Sequence, residues 1–156
     1  MSAVEEIETT YGVTLYRSTE RPAAGNPVVL IRDVLRARLD LPEVVTLDPD
    51  DESQWVRGGR RCWIWCPGCD MAHAPAVVGS DGSQPDGPCW EWNGRDDDQF
   101  GIEPSLLVQG WSGGASVCHS FIRNGRWEFL GDSTHQLAGR TVPMVPLPDW
   151  LVRERS

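Results

Sequence analysis

The stretch Val117-Cys-His-Ser-Phe-Ile-Arg-Asn-Gly-Arg-Trp-Glu-Phe-Leu-Gly-Asp-Ser-Thr-His-Gln-Leu-Ala-Gly139 holds a Cys-His pair, an Asn-Gly turn and an Asp-x-x-His. Asn124-Gly125 lies between β-rich flanks, and Asn-Gly suits a two-residue type I′ turn because both residues accept positive φ. A two-residue loop fixes the register: Arg123 pairs with Arg126, Ile122 with Trp127, Phe121 with Glu128, Ser120 with Phe129, His119 with Leu130, and Cys118 with Gly131. Alternation then puts Cys118, Ser120, Ile122, Trp127 and Phe129 on one face and His119 and Phe121 on the other. Cys118 and His119 therefore do not serve one ion in a regular strand. His135, four residues beyond Gly131, can fold back to Cys118.

About fifty residues upstream, Arg60-Arg-Cys-Trp-Ile-Trp-Cys66 alternates in the same way, with Cys62, Ile64 and Cys66 against Trp63 and Trp65. It runs into Cys66-Pro67-Gly68-Cys69, a turn that lets two thiolates reach one ion. A thioredoxin-like redox pair would want a helix after the motif, and Pro75 and the alternating 73–78 oppose one. Tetrahedral zinc takes four Cys or His ligands. Cys66, Cys69 and Cys118 supply three. The fourth is His135, with His73 and His119 as alternates and Asp132, Cys62 or an open position behind them. Cys62 and Cys89 read as core thiols. Asp132 has three candidate uses: capping the turn after it, holding the second nitrogen of a ligating histidine, or acting as a base on metal-bound water.

The rest of the chain supports a small mainly-β protein, an α+β class with one short N-terminal helix and an antiparallel sheet organised around the zinc knuckle and the Asn-Gly hairpin. The 156 residues include 16 Gly, 12 Pro and eight Trp but three Phe and two Tyr, a composition of short strands and loops. A chain of this length buries about two-thirds of its unfolded surface. Residues 1–57 form an extension packed on the core. In it 11–17 reads as a strand, Asn26 and Pro27 open a helix over about 27–39, and 43–47 reads as a strand. Residues 58–148 form the zinc-binding domain, with further strands at 73–78, 89–94 and 104–111, a turn-rich loop over 79–88 and a helical turn near 134–137. Residues 149–156 are a tail.

The net charge of −9 opposes phosphate binding by the whole surface. The acidic runs 48–53 and 95–99 lack the ligand ladder of a calcium loop. No apolar window is long enough to span a bilayer, and the acidic N-terminus lacks the features of a secretory signal. A reducing cytoplasm is therefore expected. There five cysteines read as ligands or buried thiols before disulfides.

The ordered set Trp65-Cys66-Pro67-Gly68-Cys69 with a following His, Trp90-Glu-Trp-Asn-Gly94, Pro104-Ser-Leu-Leu-Val108, Cys118 to Leu130, and Asp132 to Val142 resembles small phage and prophage proteins of a DUF6527-like group. Some of these carry the label ammonia monooxygenase. The resemblance spans Trp63 to Pro148. It implies an accessory protein with a zinc site at Cys66, Cys69, Cys118 and a histidine, and no particular activity. The chain has Ser133 where that group commonly has Cys.

Three functions compete. The first is a non-enzymatic zinc module that binds a protein partner, a host or virion component. The second is a zinc hydrolase with an open metal position and Asp132 or His119 as catalytic residue. The zinc-deaminase and His-Glu-x-x-His patterns are absent. The third is a nucleic-acid module, which needs Arg57, Arg60, Arg61, Arg123 and Arg126 in one patch.

Overall fold

The alternation over 60–66 is the inner end of a long strand, β4 (Trp55–Cys66), in a computed structural model that describes residues 4–9, 12–18, 26–41, 45–85, 87–110 and 115–152. Cys62, Ile64 and Cys66 are fully buried, and Trp63 and Trp65 are half-buried on the opposite face. Antiparallel to β4 runs β3 (Val29–Ala37), from Val29 opposite Ile64 to Ala37 opposite Trp55, with a bulge between Asp33 and Leu35. Outside β3 lie β2 (Gly12–Ser18) and β1 (Val4–Thr9). After the Cys66–Cys69 turn the chain returns along β4 as β5 (Met71–His73) and then β6 (Ala76–Val77).

The expected helix over 27–39 is thus a strand, and this is a correction. The capping signals at Asn26 and Pro27 serve the C-terminal region instead. The Asn26 side chain donates to Asp149 at 2.5 Å, and the Pro27 carbonyl accepts from Leu147 N–H at 2.9 Å. The continuous run Val28-Val-Leu-Ile31 suits a central strand with both faces covered. Pairing on both sides outweighs a weak helix preference. Among the described residues the one α-helical turn is α1 (Asp149–Val152), and Glu52–Gln54 makes a 3-10 turn.

A second sheet has the order β11 (Thr141–Pro143), β10 (Arg126–Phe129), β9 (Val117–Arg123), β8 (Ile102–Gln109), β7 (Glu91–Trp92), all antiparallel. The hairpin register is the expected one from Arg123–Arg126 to Ser120–Phe129, and Asn124 and Gly125 have φ of 49° and 71°. Other expected strands are shorter. Pro75 divides 73–78, because it has no N–H to give the ladder and its carbonyl accepts from Cys62 N–H at 3.0 Å. Residues 43 and 44 of the expected strand 43–47 lie outside the described residues, as does Trp111, and 45–47 are irregular. Residues 136–139 form turns without a helix.

One apolar cluster draws on both sheets. Val29, Ile31, Cys62, Ile64 and Cys66 come from the first, and Ile102, Leu106, Cys118, Ile122, Trp127 and Phe129 from the second. Trp127 is wholly buried and stacks on Phe129 with centroids 5.4 Å apart. Replacing such a side chain by alanine removes its transfer energy and leaves a cavity. Trp127→Ala is expected to cost about 3–5 kcal/mol, read as a lower midpoint in urea denaturation.

Candidate functional site

The inner ends of β4 and β9 bring Cys66 and Cys118 together, with sulfurs 3.8 Å apart. The Cys66–Cys69 turn is closed by Asp70 N–H on the Cys66 carbonyl at 2.9 Å and Cys69 N–H on the Cys66 sulfur at 3.3 Å. His135 comes from the loop after β10. Its ring lies against Gly68 so closely that a Cβ there would sit 2.3 Å from Cε1. Ligand atoms of Cys66, Cys69, Cys118 and His135 all lie within 4.8 Å of one another, a group that could hold a metal ion. Two further observations fit an ion. His135 Nε2 is buried without a hydrogen-bond partner, while Nδ1 accepts from Leu137 N–H at 3.2 Å. The three thiols also do not share charge easily. The Cys118 thiol beside it, helped by His73 and the Cys69 amide, draws Cys66 down to about 4. Burial and the Cys66 charge push Cys69 up to about 12. Cys118 is raised by its hydrogen bond to Cys66, then by burial. A cation is what lets all three ionise together.

Gly68→Ala is expected to displace the His135 ring and weaken metal binding by about tenfold or more, on the scale of losing a ligand's support. Competition with a chromogenic chelator measures it.

Of the alternates, His73 is buried behind Cys66, packs edge-on to Trp127 with centroids 6.0 Å apart, and stands outside the four. Cys62 is a core thiol whose burial raises it to about 12. Cys89, expected in the core, is exposed, which corrects that reading. It belongs to the turn-rich segment before β7, where little packs over it.

His119 faces the other side of β9, as the alternation requires, and there it completes a second constellation. Its Nε2 is 3.0 Å from Ser105 Oγ, and its Nδ1 is 3.0 Å from Asp132 Oδ2. Asp132 therefore does serve a histidine, but not a metal-ligating one. Two departures from regular pairing make this line. In β8 the register shifts between Ile102 and Leu106: Ile102 faces Ile122 and Leu106 faces Ser120, so residues 103–105 stand opposite Phe121 alone. Such bulges re-aim side chains, and this one leaves Ser105 outside the ladder beside His119. From the other side, Trp90 Nε1–H donates to the Ser105 carbonyl at 3.1 Å. Second, the hairpin ladder stops after Phe129. Leu130 N–H still reaches the His119 carbonyl at 2.8 Å, and Thr134 N–H then bonds the Val117 carbonyl at 2.8 Å. The residues between loop outward and carry Asp132, so Gly131 does not continue the ladder opposite Cys118.

Sequence reasoning missed Ser105. In Pro104-Ser-Leu-Leu-Val108 it reads as one residue of an apolar strand. The order serine, histidine, aspartate along the chain also differs from the familiar serine-hydrolase orders. Triads are recognised by geometry rather than by spacing.

Fold and site together define a class: a β protein with a serine–histidine–aspartate line on one face of a strand and a three-cysteine, one-histidine cluster on the other. Residues 33–130 match the family BubE, described as "Bacterial ubiquitination-like system serine protease". The match covers more than half of the 156 residues, and the chain belongs to this family. It includes Cys66, Cys69, Ser105, Cys118 and His119 and stops before Asp132 and His135. It gives no phage assignment. No curated protein and no solved structure matches the chain.

Proposed function

We propose that this chain is a serine protease of a bacterial ubiquitination-like system, with Ser105 as nucleophile, His119 as general base and Asp132 as the group that orients the base. The observation that carries this reading is the pair of 3.0 Å contacts through the two nitrogens of one imidazole. The Asp132 carboxylate only accepts, so His119 Nδ1 carries the ring proton and Nε2 is left with its lone pair toward the serine hydroxyl. Ser105 Oγ attacks a scissile carbonyl while His119 takes its proton. The tetrahedral adduct collapses to an acyl-enzyme as His119 protonates the leaving amine, and water, deprotonated by the same imidazole, releases the acid. His119 is partly shielded and Asp132 is more open, with side chains 25% and 60% exposed. The nucleophile thus faces a surface that a protein substrate can reach.

The metal in this reading is zinc, since three thiolates and an imidazole in a reducing cytoplasm favour it. Cys66, Cys69, Cys118 and His135 would hold it as a structural ion with four protein ligands. There it would supply cross-linking and charge neutralisation rather than bond cleavage. The zinc-hydrolase alternative needs His119 or Asp132 at the metal, whereas His119 faces away from the cluster toward Ser105 and Asp132 bonds His119. The protein-binding module survives as substrate recognition: the protein partner is the substrate, a ubiquitin-like protein joined through its C-terminus to an extension or a target. Three of the five arginines of the nucleic-acid reading hold acidic partners. Arg60 bonds Asp33 at 3.0 Å, Arg57 lies 3.4 Å from Asp81, and Arg123 bonds Glu103 at 3.0 Å.

The test is incubation with a ubiquitin-like protein bearing a C-terminal extension, read by intact mass. A single cut at the junction, absent with Ser105→Ala, is the expected result. An uncut substrate together with an unreactive Ser105 would overturn the reading.

A further inference from the structure

The metal cluster and the triad are back to back and share chain segments. Cys118 and His119 are consecutive. Asp132 and His135 lie in one four-residue stretch. Between those last two sits Ser133, buried although its neighbours Asp132 and Thr134 are exposed. Its Oγ accepts from His119 N–H at 3.0 Å and donates to the His119 carbonyl at 3.1 Å. One hydroxyl therefore takes both backbone groups of the general base, where the hairpin ladder has ended. Thr134 adds a second clasp on Val117, donating its N–H to the Val117 carbonyl and accepting Val117 N–H on Oγ1 at 3.0 Å.

We propose that Ser133 is a positioning residue that ties the metal centre to the general base, so that nucleophile activation depends on the bound ion. The proposal rests on the serine-protease reading of Ser105, His119 and Asp132. A metal that holds His135 anchors the far end of the loop, and Ser133, two residues earlier, carries that anchor to the His119 backbone. Asp132, with 60% of its side chain exposed, has little packing of its own to hold it. Its aim at His119 follows from the placement of the loop. A displacement of about 1 Å in such a constellation costs about 100-fold in rate.

The test uses zinc-loaded full-length protein and a fluorophosphonate. Ser105 Oγ forms the bond to phosphorus, the P–F bond breaks, fluoride leaves and His119 takes the serine proton. The saturating inactivation rate and the half-saturating concentration are measured for the wild type, Ser133→Ala, Ser133→Thr and Ser105→Ala. Zinc content and near-UV circular dichroism are measured alongside. Ser133→Ala is expected to keep its zinc and its spectrum and to lose about 10- to 100-fold in saturating rate, with the half-saturating concentration within about twofold. Ser133→Thr, which retains the hydroxyl, should recover most of the rate. Chelator-stripped wild type should lose the rate, and zinc should restore it. Four results would each overturn the proposal: a wild-type rate in Ser133→Ala, loss of its zinc or fold, a threonine variant as slow as alanine, or a stripped, folded wild type at full rate. An unlabelled wild type, or a labelled Ser105→Ala, would instead defeat the protease reading itself.

Discussion

Ser105→Ala is expected to lower kcat/KM on a protein or ester substrate by at least about 10³-fold, leaving only what binding and nearby dipoles supply. The argument is geometric. Ser105 Oγ is the atom that His119 Nε2 approaches at 3.0 Å, and with it gone His119 and Asp132 have no nucleophile to activate. Folding should barely change. Ser105 is half-buried, its hydroxyl belongs to no core contact, and the Trp90 bond goes to its backbone carbonyl, which alanine keeps. A stability change within about 1 kcal/mol is appropriate to such a site. His119→Ala should fall by a similar factor, and the double variant should be little worse than either single one, because groups that act as a unit are not additive. Initial rates for the three proteins, with matched thermal melts, check this. An exposed serine such as Ser53 is the control.

The second large effect is on the metal. Cys66→Ser, Cys69→Ser, Cys118→Ser and His135→Ala are each expected to lose the ion or bind it far more weakly. Cys66 and Cys118 sit in different sheets, β4 and β9, so the ion closes the core from both sides. Thiolate-rich structural zinc contributes about 10–16 kcal/mol of apparent binding energy, against about 5–15 kcal/mol of net stability for a domain. Loss of the ion should therefore lower the melting midpoint steeply, so that the stripped chain is folded only well below the melt of the zinc-loaded protein. Exposed Cys89→Ser should do nothing. His119→Ala should keep the metal while losing catalysis, which separates the two faces of β9. The pH dependence has a definite sign. A metal displaces protons from Cys69 and Cys118, whose thiols burial and the neighbouring Cys66 hold above the usual value. Affinity thus rises with pH through the neutral range and falls toward acid. Elemental analysis and melts at several pH values measure both effects.

The hairpin was legible because two local rules agree there. Asn124-Gly125 fixes a turn and a register, and period-two alternation assigns the faces. The same alternation placed Cys66 and Cys118 inward and turned His119 away, while spacing left His73 and His119 open beside His135 as the fourth member of the group. Residues 27–39 misled because caps are local signals, while the strand there is stabilised by neighbours on both sides. The triad was hidden for a different reason. Ser105 owes its position to the bulge over 103–105 and Asp132 to the loop after Phe129, both departures from the regular pattern. Periodicity describes ladders, and the serine–histidine–aspartate line sits where two ladders break.

The most direct test of the central claim is a peptide map of zinc-loaded protein after reaction with a fluorophosphonate. The account predicts one adduct per chain, on Ser105, abolished by Ser105→Ala and slowed severely by His119→Ala. An adduct on another serine, or none while the protein is folded and metal-loaded, would contradict it.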